Sequence, residues 1–531
     1  MLDTPVFASA AVAAPHRLAS EAGRAILAEG GNAIEAMVAM AATIAVVYPH
    51  TNGIGGDGFW LVHEPGGRLH GIEACGPAGA LATIERYRGK GYDILPAHGP
   101  EAALTVAGVV AGWQLALELS RALGGRMPRR ELLTDAIGHC REGYAVSDSE
   151  RRKRPDELEA LKAAPGFASS FWIDGDPPKP GARRRPEPLG AALEQLAHAG
   201  LDDFYRGDIA REIAADLERI GAPVTRTDLE RYNARSVAPL TLKLPGLTVA
   251  NLPPPTQGLA SLLILGIVER RDEARLDSFE HHHGLIEATK RAFAIRDRYI
   301  ADPTHLSRPP AEFLSGAALM REATAIDGKR AAKLPLREAD DDGAAVWMGA
   351  IDGKGLAVSY VQSNGRAYGS GCVLPATGIH WQSRGASFSL DRDAVNPLAP
   401  GRKPFHRLNP ALARFDDDRI VPYGAARGDG QPQFQAQILS RYRAGQNLAT
   451  AVDAPRWLFG KTWGTGSTSL TCENRFDPSL LERLDAAGHP VEESGRAYCE
   501  GFGHAGMLVK HAKGQVEAVH DPRSDGDSRG I

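Results

Sequence analysis

Gly343-Ala344-Ala345-Val346-Trp347-Met348-Gly349-Ala350-Ile351-Asp352-Gly353 is the stretch on which the reading of this chain turns. Residues 346–351 and 356–361 read as two strands, and Asp352-Gly353-Lys354-Gly355 between them is a turn-rich hairpin connection. Upstream, residues 333–344 form a polar run with a proline and three successive aspartates, which predicts an exposed loop. A strand therefore starts where a loop ends.

Outward from that hairpin, composition sets bounds. With 531 residues, 43% hydrophobic and 24% charged, the chain can bury a large core, and length alone would allow about three domains. The formal charge of −4 comes from interspersed acids and bases, so no basic surface for nucleic acid or lipid is implied, and neither partner is expected. The five cysteines, Cys75, Cys140, Cys372, Cys472 and Cys499, are widely spaced and form no C-x-x-C pair, which argues for reduced thiols. No basic region precedes the alanine-rich residues 8–14, and the apolar run 36–48 is about thirteen residues against the roughly twenty of a membrane span. A cytoplasmic protein is expected.

Alternating helical and strand-like segments fill the rest. Gly30-Gly31-Asn32-Ala33 opens a buried helix of small residues to about Val47, closed by Tyr48-Pro49 because the residue before proline is pushed out of the helical region. Residues 177–188 read as a linker, with Arg183-Arg184-Arg185 as a solvated loop, and amphipathic helices follow at 189–199 and 208–220. The glycine-rich residues 53–58 lack the Gly-Lys-Ser/Thr of a phosphate loop and read as a structural turn beside a pocket. His281-His282-His283 lacks metal-ligand spacing and reads as a helix start, while Trp60, Trp113 and Trp172 read as core. No metal or other cofactor is expected.

Several blocks, in this order, resemble the γ-glutamyltransferase family over nearly the whole chain. They include His16-x-x-Ala19-Ser20-x-x-Gly23, Gly30-Gly31-Asn32-Ala33-Ile34-Glu35-Ala36, and Pro49-His50-x-Asn52-Gly53-Ile54-Gly55-Gly56-Asp57-Gly58-Phe59. Later come Pro253-Pro254-Pro255-Thr256-Gln257-Gly258, Glu287-Ala288-x-Lys290-Arg291-Ala292-Phe293, Gly369-Ser370-Gly371, Pro400-Gly401-Arg402-Lys403-Pro404 and Ala454-Pro455-Arg456-Trp457. The resemblance implies an α+β fold, a four-layer αββα sandwich of the N-terminal nucleophile hydrolase type. Residues 1–344 and 345–531 would be large-subunit-like and small-subunit-like segments of one intertwined domain.

In that family a threonine seven residues before the aspartate matching Asp352 opens the small subunit; this chain has Ala345 there. The threonine attacks its own preceding carbonyl, the peptide breaks, and the freed α-amine serves as base for the hydroxyl beside it. Alanine has no hydroxyl, so neither self-cleavage nor an acyl-enzyme can form at 345.

Gln362-Ser363, Phe405-His406, Gly428-Asp429-Gly430-Gln431-Pro432-Gln433 and Asp521-Pro522-Arg523-Ser524-Asp525-Gly526 most resemble the branch that includes oxamate amidohydrolase. That branch carries a Gly-Gly oxyanion pair where this chain has Arg427 and Gly428, and a β-carbon at 427 closes the approach two glycines leave open. Asn364, Tyr368, Ser387, His406, Asp429 and Gln431 are the candidate substrate-binding residues. Ser363 and Ser359 are further hydroxyls that could take over some chemistry. The arginine and aspartate that hold a glutamyl headgroup would fall near Leu81 or Ala82 and at Ser387, so glutathione is a poor substrate on this reading.

The resemblance implies an amidohydrolase for a small amide such as oxamate, uncleaved and inactive or weakly active through Ala345. The alternatives are a non-catalytic homologue serving in binding or assembly, and a γ-glutamyl hydrolase or transferase. A homodimer is compatible with all three.

Overall fold

In the computed structural model, the strand Gly343–Ile351 pairs antiparallel with Ala357–Arg366, from Ile351 opposite Ala357 back to Val346 opposite Gln362. The expected hairpin is present, and its strand begins at Gly343 rather than at 346. The Asp352 carboxylate organises the turn. Its Oδ1 accepts the Lys354 and Leu356 N–H groups at 2.9 and 3.1 Å, while Oδ2 accepts the Ala33 N–H at 3.1 Å. A carboxylate at the first turn of the Ala33–Val47 helix also suits the positive end of its dipole.

The structure describes residues 2–152, 155–179, 181–271, 274–334, 343–461 and 468–531. Most of the loop expected at 333–344, residues 335–342, lies outside them. One seven-stranded sheet runs in the order Asp527–Gly530, Ala11–Ala14, Gly343–Ile351, Ala357–Arg366, Asp57–His63, Leu69–Ala74, Arg235–Val237. The second runs Val6–Phe7, Val516–His520, Ala505–Lys510, Ile420–Ala425, Ala411–Phe415, Leu247–Asn251, Leu240–Leu244. Each sheet takes strands from both sides of residue 345.

Three cores separate four layers. Phe59, Leu61, Trp347, Val361, Leu412 and Leu508 fill the space between the sheets. Helices including Arg17–Ala28, Ala33–Val47 and Arg129–Glu142 cover the outer face of the first sheet. Gly258–Val268, Phe279–Tyr299 and Gly430–Arg443 cover the second. The fold is the αββα sandwich. Every residue of the Ala33–Val47 helix is buried, as an all-apolar sequence requires, and Asn32 and Glu35 close a capping box at its start. Among the described residues no helix is long and apolar enough to cross a membrane.

Two local expectations need correction. Arg183–Arg184 is a short strand paired with Tyr144–Ala145, and Arg184 is buried rather than solvated. Its guanidinium meets the buried Glu150 carboxylate at 3.0 and 2.8 Å, and that buried charge is what draws it inward. Trp60 and Trp113 are core, but Trp172 is half-buried with the Lys162 ammonium 4.7 Å from its ring centre. The helices expected at 189–199 and 208–220 are Glu187–Ala199 and Asp208–Ile220. The five cysteines are unpaired.

Candidate active site

The pairing of the central hairpin slips between Ala344 and Val346, so that Ala345 stands opposite both Ser363 and Asn364. Such irregularities re-aim side chains out of the regular alternation. Here the slip brings the Ser363 hydroxyl onto the Ala344 carbonyl, to which it donates. Ser363 Oγ in turn accepts the Gly365 N–H at 2.8 Å and the Arg384 Nη2 at 3.0 Å. The one hydroxyl proton is thereby directed at the carbonyl before residue 345. Ala345 is 4% exposed and lines a cavity of about 40 Å³ with Thr51, Ser149, Arg427, Glu500 and His504.

Close approach dictates the backbone around this corner. A Cβ on Gly56 would lie 2.1 Å from Asn364 Oδ1 and 2.3 Å from the Ser363 carbonyl oxygen, so only glycine lets the 53–58 turn pass behind the strand. Arg427 has φ +88°, in the region glycine enters freely and other residues enter under strain. Gly428 follows at φ +34°, and a Cβ on Gly343 would come within 2.8 Å of its Cα. The structure thus gathers Ala345, Arg427 and Gly428 at one corner.

The other candidates occupy buried networks of their own. Asn364 donates to the His380 carbonyl at 3.4 Å, and the Tyr368 hydroxyl donates to Glu150 at 3.0 Å while its ring packs on Phe167 and Phe171. Asp429 accepts from Arg296 at 3.0 Å and lies 3.2 Å from the Arg407 Nε, and Gln431 accepts the Asn409 N–H at 3.1 Å. Ser387 donates to the Phe405 carbonyl at 3.0 Å. His406 is fully buried, edge-on to Phe59, with Nε2 3.4 Å from Asp57 Oδ2.

Asp57, unremarked in the sequence beyond its glycine-rich turn, is the electrostatic centre of this region. Its Oδ1 accepts the N–H groups of Gly76 and Gly108 at 3.2 and 3.1 Å and the Gln382 amide at 3.1 Å. Burial pushes its carboxyl up to about 7 despite the nearby Arg384 charge and these hydrogen bonds. Burial first, then the Arg384 and Lys403 charges, hold the His406 imidazole well below its usual range.

The three positions that the resemblance assigns to a glutamyl headgroup carry no charge. Leu81 is half-exposed, Ala82 packs with Tyr87, Leu104 and Phe388, and Ser387 is engaged as above. His281-His282-His283 does open the Phe279–Tyr299 helix, capped by Ser278. The tertiary fold nonetheless brings His283 within reach of Glu287 and His489, a grouping the sequence spacing hid. Lys290 closes it: the ammonium donates to Glu287 at 2.7 Å and meets His489 Nδ1 at 3.3 Å, while His489 Nε2 lies 2.9 Å from His283 Nδ1. A protein cation already neutralises that carboxylate.

The layering, the strand that starts at the junction and the carbonyl held before it define an N-terminal nucleophile hydrolase framework. The whole chain superposes on a cephalosporin acylase from Bacillus halodurans with a TM-score of 0.92 and 29% identity, covering 100% of this chain and 97% of that one. The family model for gamma-glutamyltranspeptidase matches residues 19–531, and the chain belongs to that family. It is 49% identical over 519 residues to an oxamate amidohydrolase proenzyme of Klebsiella pneumoniae, covering 97% of each chain. It is 35% identical over 524 residues to the glutathione hydrolase-like YwrD proenzyme of Bacillus subtilis, covering 98% of each.

Proposed function

We propose that this protein is a small-amide amidohydrolase framework, of the oxamate type, that remains a single uncleaved chain with little or no turnover. The observation that carries the reading is the junction itself. Ser363 presents a proton to the Ala344 carbonyl, as an attack on that carbonyl requires, yet the attacking position holds the Ala345 methyl group. Residues 1–344 and 345–531 are on this proposal the two would-be subunits of one interleaved domain. The similarity to the Klebsiella oxamate amidohydrolase supports the substrate class. A γ-glutamyl substrate is disfavoured because Leu81, Ala82 and Ser387 offer no counter-charges to its zwitterionic end.

A second reading, a non-catalytic binding or assembly protein, is favoured by Arg427, which takes a backbone conformation suited to glycine at the very corner where oxyanion donors belong. Denaturing electrophoresis and intact mass separate the possibilities in two stages. The chain as it stands should give one species near 56.6 kDa after prolonged incubation. Two fragments divided near residue 344 would overturn the proposal. Ala345→Thr should then restore cleavage and measurable ammonia release from oxamate. Absence of both would leave the binding reading in possession of the fold.

A further inference from the structure

Arg384 differs from its charged neighbours. It is 7% exposed, and among the described residues its side chain makes one hydrogen bond, the 3.0 Å contact to the Ser363 hydroxyl. Among the described residues no carboxylate lies within ion-pair distance of it, and its Nε has no hydrogen-bond partner. Arg366 and Arg407 add positive charge nearby, and Arg407 is already paired with Asp429. The attractive charge closest in effect is Asp57, which three donors and His406 surround. Burial pulls the Arg384 guanidinium down to about 10, so it is still a cation at neutral pH. A buried cation with unused, forked donors is a site built for a planar anion.

Its place in the fold selects which anion. Arg384 reaches Ser363, and Ser363 reaches the carbonyl before residue 345, so the guanidinium stands two hydrogen bonds from the carbonyl at the reacting position. In an oxamate-type molecule the carboxylate carbon is bonded directly to the amide carbon. A γ-glutamyl amide, by contrast, keeps its carboxylate several carbons away.

Resting on the amidohydrolase reading above, we propose that Arg384 is the specificity-determining residue that binds the carboxylate of a short amide, one in which that carboxylate adjoins the amide carbonyl. Recognition of the acid has moved from the far end of a glutamyl group to the carbon next to the scissile bond. A purely structural Arg384 that only orients Ser363 would treat charged and neutral amides alike.

Calorimetry on the full-length chain with oxamate and with oxamide, its neutral counterpart of the same size, tests this. Oxamate should bind about tenfold or more tightly than oxamide, as expected for a charge-assisted pair. Arg384→Gln should remove that preference, and Arg384→Lys should keep part of it. Equal affinities in the unaltered chain, no oxamate binding, or a preference that survives Arg384→Gln would overturn the proposal. The first comparison needs no variant, so a misfolded Arg384→Gln protein does not remove the test. In an Ala345→Thr background the two proposals part. Equal ammonia release from oxamate and oxamide would sink the Arg384 assignment and leave the amidohydrolase reading standing. No release from either, with oxamate still bound preferentially, would do the reverse.

Discussion

Two buried groups of arginines in this protein are treated in opposite ways. Arg456 and Arg523 share Asp521 and Glu473 beside the start of the Ala505–Lys510 strand: Arg456 meets Asp521 at 2.5 Å, and Arg523 meets Asp521 at 3.0 Å and Glu473 at 2.6 and 2.7 Å. The Ala505 N–H completes Asp521, and main-chain carbonyls of Val452 and Ala454 take further guanidinium donors. Arg384, also buried, has one hydroxyl among the described residues. Taking an ion out of water costs several kcal/mol, which a saturated set of partners offsets and a lone hydroxyl does not. The first group is therefore part of the framework, and the second is incomplete without something the chain does not supply.

That contrast can be broken most directly in the saturated group. Arg523→Met should lower stability by about 3–5 kcal/mol, because Arg523 bridges two buried carboxylates that would be left with only Arg456 on Asp521 and the partly exposed Arg475 on Glu473. The equivalent Arg384→Met should move the urea midpoint little or upward. A similar loss in both would mean that Arg384 has compensation equal to that of Arg523, and the distinction would fail.

The corner at 427 gives the next largest effect. In an Ala345→Thr protein, adding Arg427→Gly should raise ammonia release from oxamate about a hundredfold or more, the usual value of one oxyanion donor, because removing the β-carbon opens the approach to the backbone N–H at 427. Full turnover from the threonine alone would show that this corner does not hold the oxyanion.

Acid sets the two regions against each other. Burial holds the imidazoles of His63 and His380 down at about 4 and those of His16, His489 and His520 at about 3, and His520 adjoins the saturated group. With folded values below the unfolded 6.5, they contribute stability that is present above pH 6.5 and lost as pH falls toward 4 and 3. Asp57, raised to about 7 near Arg384, contributes in the other direction: its share is complete below about 3.8 and lost as pH rises through 7. Five imidazoles outweigh one carboxyl, so the melting temperature should fall steadily from pH 7 to pH 5. A flat profile would mean that these imidazoles titrate as if exposed. Smallest of all, Arg427→Gly in the unaltered chain should change stability by about 1 kcal/mol, most of it relief of the positive φ.

What sequence could show was local. The hairpin around Asp352, the Asn32–Glu35 start of the buried helix and the two amphipathic helices were written in contiguous residues, and the ordered blocks identified the family. The pairs that define the candidate site were not. Tyr368 finds Glu150 across 218 residues and Asp429 finds Arg296 across 133, so their engagement in internal networks depends on tertiary register. Arg184 looked solvated for the same reason: its partner Glu150 is separated from it by 34 residues. Arg384 lies three residues before Ser387, where the resemblance places an aspartate, and a buried cation whose one partner among the described residues is a hydroxyl cannot be seen in a string of letters.

The interleaving of the sheets bears on how such a protein changes over generations. Since each sheet draws strands from both sides of residue 345, scission there is not needed to assemble either one, and the intact chain forms every strand of both. On the proposed reading, loss of the nucleophile therefore leaves every strand of both sheets in place. A lineage can cross from threonine to alanine without passing below the stability at which proteins are cleared, and can then explore charged corners such as 384 and 427 while the framework persists.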